Sequence, residues 1–117
     1  MKDFRSLLVW RKAHELTLDV YQATKQFPSE EKFGLTSQMR RSAASVPTNI
    51  AEGCGRGSSP DFQRFLQVAF GSVSELDYQL ILATDLAFLT RPTYDDLYTK
   101  LVEIRRMLAS LIRRVQS

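Results

Sequence analysis

Four segments of the chain carry apolar residues at the three- and four-residue spacing of an amphipathic helix. These stripes run from Val9 to Phe27, from Leu35 to Gly53, from Phe62 to Ala87 and from Leu97 to Val115. A chain of 117 residues is long enough to bury one core without disulfides or metals. We therefore expect an all-α fold, an antiparallel up-and-down four-helix bundle in which residues 1–117 form a single domain.

Turn and capping residues predict where the last two helices begin and end. The third helix is expected over residues 60–89, with Ser59 as its N-cap and Pro60 at its first position. For the fourth helix, Thr93 is the predicted N-cap, and Asp95 and Asp96 follow at the positive end of the helix dipole.

The second helix contains a proline in its middle, Pro47. Proline removes one backbone donor and clashes with the carbonyl four residues earlier, so we expect this helix to be kinked. Close to the proline stand three polar residues, Asn49, Glu52 and Arg56. We expect them to form a structural, buried network that fixes helix pairing. An exposed Glu52–Arg56 pair, or a contact with a partner's backbone, is the alternative.

Several patterns that resemble catalytic or cofactor sites lack the context that such chemistry needs. The glycines between Gly53 and Gly57 follow a helix and no lysine accompanies them, whereas a nucleotide-binding loop opens a helix and carries one. The single cysteine, Cys54, and the single histidine, His14, lack an orienting third group and cannot build a metal cluster. We expect no enzyme activity, cofactor or metal.

Charge is distributed unevenly along the chain. Residues 1–57 carry nine basic and six acidic side chains, residues 58–99 two and six, and residues 100–117 five and one. The two ends are therefore basic and the middle is acidic, which can neutralise neighbouring helices, match subunits to each other or leave a basic rim for phosphate. The sequence shows neither a membrane-length apolar run nor a signal-peptide pattern, so we expect a cytoplasmic protein.

Arginines are the candidate nucleic-acid-binding residues. Four lie within ten residues near the end of the fourth helix, and two adjacent ones lie in the second: Arg105, Arg106, Arg113 and Arg114, then Arg40 and Arg41. A solvated helix face and a phosphate-binding face are equally compatible with the first four. Adjacent helical residues point about 100° apart. Of Arg40 and Arg41, one is therefore expected to pair with an acidic residue of the third helix, and the other to face solvent or RNA.

The first and third helices carry more apolar side chains than one core-facing stripe accommodates. A helix that is apolar on more than one face is buried on more than one face, and in a small chain the second partner is another copy. The predicted subunit-interface residues are Trp10, Tyr21, Phe70, Tyr78, Ile81, Leu82 and Leu86. For Trp10 and Tyr21, the edge of a wide core stripe is the alternative.

A set of short motifs in a fixed order resembles one bacterial family. They are residues 8–13 (LVWRKA), 27–31 (FPSEE), 38–57 (QMRRSAASVPTNIAEGCGRG), 62–66 (FQRFL) and 71–76 (GSVSEL). Together they resemble the 23S rRNA intervening-sequence proteins. The resemblance implies a four-helix bundle without assigned chemistry. It also implies a homo-oligomeric ring, a pentamer, since the related accessory protein of diversity-generating retroelements forms a five-membered ring and works with a reverse transcriptase and nucleic acid.

The sequence therefore predicts a non-enzymatic oligomeric module for binding or assembly. We expect it to contact structured RNA or other nucleic acid through a basic rim to which several copies contribute arginines. The alternative is an oligomeric adaptor or scaffold that binds another protein and has no nucleic-acid role. These two functions differ in whether the arginines face outward or are tied to carboxylates of neighbouring subunits.

Overall fold

The computed structural model describes residues 3–116 and contains four α-helices in that range. Helix α1 spans Leu8–Thr24, α2 Leu35–Cys54, α3 Ser59–Asp85 and α4 Arg91–Gln116. Two short 3₁₀ turns, Phe4–Ser6 and Ser29–Glu31, precede α1 and α2. The molecule measures 43 × 24 × 20 Å. The predicted all-α, four-helix architecture is confirmed.

Side-chain contacts between neighbouring helices establish their antiparallel order. Lys12 and Asp19 of α1 pair with Glu103 and Lys100 of α4, so the residue numbers run in opposite directions. Between α1 and α2, Thr17 meets Ala43 and Thr24 meets Arg40. Between α2 and α3, Ser45 meets Ser72 and Gly53 lies against Phe62. Because four helices alternate in direction, the start of α1 and the end of α4 lie at the same end of the bundle.

The predicted apolar stripes form the core. Its completely buried side chains come from all four helices and include Val20, Met39, Ile50, Leu66, Leu76, Leu80, Leu101 and Leu108. Helix α2 continues without interruption through Pro47, which is itself buried. A bend at this proline stays a prediction. Several buried α2 residues are small, including Ser42, Ala43 and Gly53, and at Gly53 a Cβ would come within 3.0 Å of α3.

Two predicted helix caps are wrong by one and three residues. The N-cap of α3 is Ser58, whose Oγ accepts a hydrogen bond from the Asp61 amide at 3.3 Å, and Ser59 lies inside the helix. For α4, the Thr90 hydroxyl accepts from the Thr93 amide at 3.4 Å, so the predicted cap lies in the first turn. In both cases two hydroxyl residues lie close together in the sequence, and the one nearer the N-terminus caps the helix.

Helix α3 ends at Asp85, four residues earlier than predicted, because the chain turns at Ala87. This alanine has a φ of 64°, in the left-handed region that favours glycine. The amides of Ala87 and Phe88 donate to the carbonyls of Thr84 and Ala83, each at 2.9 Å, which closes the helix end. The turn packs Phe88 against Phe27, with 5.5 Å between ring centroids. Ala87 is therefore exposed and not part of the core stripe.

Candidate functional site

Basic side chains concentrate at the end of the bundle where α1 begins and α4 ends. We call this the basic end and define it as residues 3–14, 50–66 and 106–116. It carries eight arginines and lysines against three carboxylates. In sequence these charges lie in separate regions, and the antiparallel fold brings them together. Such an excess of one sign attracts polyanions.

The four arginines predicted in α4 divide into two groups. Arg105 turns toward α3, where its Nη1 donates to Asp77 Oδ2 at 2.8 Å, and this hydrogen bond raises the pKa of Arg105. Arg106, Arg113 and Arg114 are exposed at the basic end. The Arg114 guanidinium also donates to Ser110 Oγ at 3.0 Å. Three of the four therefore present charge to solvent at the basic end.

Arg40 and Arg41 lie in the first half of α2, toward the opposite end of the bundle. Arg40 is fixed against α1: its Nε donates to Thr24 Oγ1 at 2.8 Å, and its guanidinium lies 4.7 Å from the Tyr21 ring centroid. Arg40 is therefore held by α1, and not by the acidic residue of α3 that was expected beside one of the two arginines. Arg41 is exposed and borders a polar cleft with Gln79 and Glu75 of α3, so of the two arginines it is the one near an acidic residue of that helix. Within one subunit, neither can share a rim with Arg113.

A groove at the basic end runs between the start of α1 and the end of α4. It has a volume of about 530 Å³. Its floor is apolar and includes Phe62 of α3 and Met107 of α4, while Arg106 and Arg114 border it. Two guanidiniums beside an apolar floor suit a ligand that is both anionic and partly apolar.

Sequence reasoning missed a second cluster at this end. Phe65 of α3 lies between two arginines, with the Arg64 guanidinium 4.5 Å and the Arg56 guanidinium 4.9 Å from its ring centroid. Arg56 comes from the end of α2, across the glycine–serine turn. The sequence alone does not show that Arg56 lies close to Phe65, because the two meet only when this turn closes the α2–α3 hairpin. The cluster contains two of the eight basic side chains of the basic end.

The predicted network of Asn49, Glu52 and Arg56 is not one buried unit. Glu52 and Arg56 form an exposed pair at 3.1 Å along α2. Asn49 is half-buried and faces the other way, where its Nδ2 donates to the carbonyl and the hydroxyl oxygens of Ser45 at 2.8 and 2.9 Å. The Ser45 hydroxyl lies 2.7 Å from that of Ser72 in α3. Glu52 instead borders a groove on the α1 side of α2, so only the asparagine reaches the α2–α3 contact.

The predicted interface residues also divide into two groups. Trp10, Phe70 and Leu82 are half-buried and pack against the core, so a single subunit covers much of their surface. Tyr78, Ile81 and Leu86 remain 61%, 43% and 48% exposed along α3. Tyr21 is 43% exposed beneath Arg40. The exposed apolar surface on α3 is therefore smaller than predicted but present.

Neither candidate for nucleophilic or metal chemistry acquires a site in the fold. Cys54 is buried, and His14 is exposed and stacks on Trp10 with 5.3 Å between ring centroids. In residues 3–116 no three His, Cys, Asp or Glu side chains come together to hold a metal ion. No helix in the same range is long and apolar enough to cross a membrane.

Comparisons with known proteins agree with this architecture. The profile of the 23S rRNA-intervening sequence proteins matches residues 5–110. The chain is also similar to a crystal structure of a protein of unknown function from the S23 ribosomal protein family of Bacteroides thetaiotaomicron, at 29% identity and a TM-score of 0.84. That alignment covers 91% of this chain and 96% of the other. The comparison with curated proteins found no match. Since the profile covers the first three helices and most of the fourth, the chain belongs to the 23S rRNA-intervening sequence protein family.

Proposed function

We propose that the protein is a non-enzymatic, oligomeric cytoplasmic module that contacts structured RNA or other nucleic acid through its basic end. The observation that carries this proposal is the meeting of the two basic chain ends at one end of the bundle. There Arg106, Arg113 and Arg114 are exposed, and Arg56 and Arg64 flank an aromatic ring. Exposed guanidiniums neutralise phosphates and release counterions, which is a sequence-independent source of affinity.

The contacts of the arginines support a different phosphate-contacting set from the one predicted from the sequence. Arg105 is held by Asp77 and Arg40 by Thr24, so neither guanidinium is fully available for phosphate. In their place the fold supplies Arg56 and Arg64, which were not nucleic-acid-binding candidates in the sequence. They pair with Glu52 and Asp61, but these ion pairs are more exposed than the Arg105–Asp77 pair, so both guanidiniums remain accessible to phosphate. The proposed phosphate-contacting set is Arg56, Arg64, Arg106, Arg113 and Arg114.

Oligomerisation is the second part of the proposal. Tyr78, Ile81 and Leu86 expose apolar surface on α3 that a neighbouring copy would cover. The resemblance of the sequence to ring-forming relatives favours a pentamer. In a ring, several basic ends would act on one polyanion, and their affinities would multiply through effective concentration.

The test compares two matched triple variants. In the first variant, glutamine replaces Arg106, Arg113 and Arg114 and removes three charges from the basic end. In the second, glutamine replaces Lys25, Lys32 and Arg41 and removes three charges from the opposite half. We expect only the first variant to lose RNA retention at low salt. Its plot of log affinity against log salt should also flatten, since each neutralised phosphate contributes about 0.7 to 0.9 to the slope. Gel filtration and circular dichroism would confirm unchanged size and helicity.

Equal losses in both variants would show that no particular end carries the site. Loss only in the second variant would move it to Arg41 and the opposite half. The protein-adaptor function is the competing proposal. The Arg105–Asp77 pair lies within one subunit and is compatible with both functions. If the parent protein retains no RNA or DNA of any form, the nucleic-acid proposal is wrong and the adaptor function takes its place.

A further inference from the structure

A second groove opens at the basic end, between the first turns of α1 and the last turns of α2. It has a volume of about 720 Å³ and is bordered by Phe4, Trp10, His14, Pro47, Glu52 and Arg56. The α2 wall is made of small residues, including Ala44, Ala51 and Gly55, which leave space opposite the aromatic side chains. The groove is therefore broad, with aromatic rings on one wall.

Trp10 and His14, one helical turn apart on α1, form an offset aromatic stack beside this groove, which we call the Trp10–His14 platform. Their ring planes are 5° from parallel, with 5.3 Å between centroids. Parallel rings at that separation are offset, so each covers only part of its neighbour. Phe4 meets the indole edge-on at 60°, with 4.9 Å between centroids, and holds it from the N-terminal side. Trp10 stays half-buried and His14 exposed.

Two arginines lie near the platform, and each is in an exposed ion pair. Arg56 borders the groove itself, and its guanidinium is shared between Glu52 at 3.1 Å and the Phe65 ring. Arg5 lies over Phe4, 4.4 Å from its ring centroid, and pairs with Asp3 at 3.1 Å. A planar aromatic surface next to guanidiniums is the arrangement that binds single-stranded nucleic acid, because bases stack on rings while phosphates meet the positive charge.

We propose that this groove receives an unpaired nucleobase, stacked on the Trp10–His14 platform, from a single-stranded segment whose phosphates lie on the arginines of the basic end. The inference rests on the proposed function and narrows its ligand from nucleic acid in general to exposed, unstacked bases. A base inside a duplex cannot reach the platform, because both of its faces are covered by neighbouring base pairs. Loops, bulges and single strands would therefore bind better than duplex.

Polar groups beside the platform offer a base edge both donors and acceptors. Thr48 is exposed on the α2 wall, and the Glu52 carboxylate stands one turn further along that helix. A carboxylate accepts from exocyclic amino and imino groups, and a hydroxyl both donates and accepts. An aliphatic ligand would satisfy neither group and would gain nothing from the parallel rings. A nucleobase uses both features.

Trp10 is the sole tryptophan of the chain, so its fluorescence reports directly on the platform. The experiment titrates the full-length protein with a short oligouridylate, with the corresponding oligothymidylate, with an abasic oligomer of equal length and charge, and with an RNA duplex. We expect both base-bearing single strands to quench Trp10 and to bind about tenfold more tightly than the abasic oligomer. A difference in affinity between oligouridylate and oligothymidylate shows whether RNA or DNA is the preferred source of the base.

Two variants separate stacking from a structural role of the aromatic residues. His14→Ala removes the exposed half of the platform and should reduce the preference for bases over abasic oligomer, while binding of the abasic oligomer stays unchanged. Phe33→Leu changes an aromatic side chain that is 90% exposed at the opposite end. It should change neither the preference for bases nor the binding of the abasic oligomer. Trp10→Leu, if it remains folded, should abolish the base preference.

Equal binding of base-bearing and abasic oligomers without quenching would overturn this inference and leave the proposed function standing. If the parent protein binds none of the four probes, both fail together. Quenching by the duplex as strong as that by the single strands would also contradict the inference, because paired bases cannot occupy the groove.

Discussion

The hydroxyl oxygen of Thr17 in α1 lies 3.1 Å from the carbonyl oxygen of Ala43 in α2. In a regular helix the amide four residues later would donate to this carbonyl, but that position is Pro47, which has no N–H. The Thr17 hydroxyl also lies 2.8 Å from the Ala13 carbonyl, so its single proton is shared between two acceptors. A side chain of the neighbouring helix thus stands in for the backbone donor that the proline removes.

This relationship predicts coupling between Thr17 and Pro47. Thr17→Val should lower the free energy of unfolding by about 1–3 kcal/mol, because it leaves a buried carbonyl without a donor. In a Pro47→Ala background the residue-47 amide can donate to Ala43, so the same substitution should cost less than half as much. Urea denaturation of the four proteins in the double-mutant cycle measures the difference. Equal costs in both backgrounds would contradict the prediction.

Thr84 provides the control for that cycle. Its hydroxyl donates to the Leu80 carbonyl within its own helix, at 2.8 Å. Thr84→Val should therefore show no coupling to Pro47→Ala.

Two helical glycines should respond to alanine in opposite directions. A Cβ at Gly53 would come 2.9 Å from Phe62 Cδ1 and 3.0 Å from Phe65 Cβ, so Gly53→Ala should lower the unfolding free energy by about 1–3 kcal/mol through overpacking. At Gly71 a Cβ would meet nothing within 4 Å. Gly71→Ala should therefore raise the free energy by about 0.5–1 kcal/mol through helix propensity. Thermal denaturation measures the stability change of both variants, and the prediction is wrong if the two changes have the same sign.

The turn after α3 predicts a stabilising glycine. Ala87 occupies the left-handed region at a φ of 64°, where a Cβ is unfavourable. Ala87→Gly should raise the free energy of unfolding by about 0.5 kcal/mol, the relief of backbone strain less the added entropy of the unfolded chain. Ala109→Gly, inside α4, should lower it by about 1 kcal/mol. A loss of stability in both variants, measured by chemical denaturation, would show that Ala87 is not strained.

Helical periodicity was sufficient to predict the four helices and their core faces, because every stripe repeats over several turns. Local signals were less decisive at the helix ends, where Ser58 and Ser59 compete for one cap. Side-chain direction could not be predicted, since Arg105 meets a carboxylate 28 residues away in sequence and Arg40 meets α1. The Arg56–Phe65–Arg64 cluster was hidden for the same reason: its members share one surface only after the α2–α3 hairpin forms.

The exposed apolar surface of α3 predicts how association can be broken. Light scattering coupled to gel filtration should show that the parent protein is an oligomer at micromolar concentration, with the mass of a pentamer expected from the resemblance. Ile81→Lys combined with Leu86→Lys should reduce that mass to a monomer while helicity is retained, because two buried charges without partners cost more than the contact returns. Phe33→Lys, at a site 90% exposed outside this surface, should leave the mass unchanged. A monomeric parent protein would refute oligomerisation itself, and an oligomer that survives the double substitution would place the contact on another face.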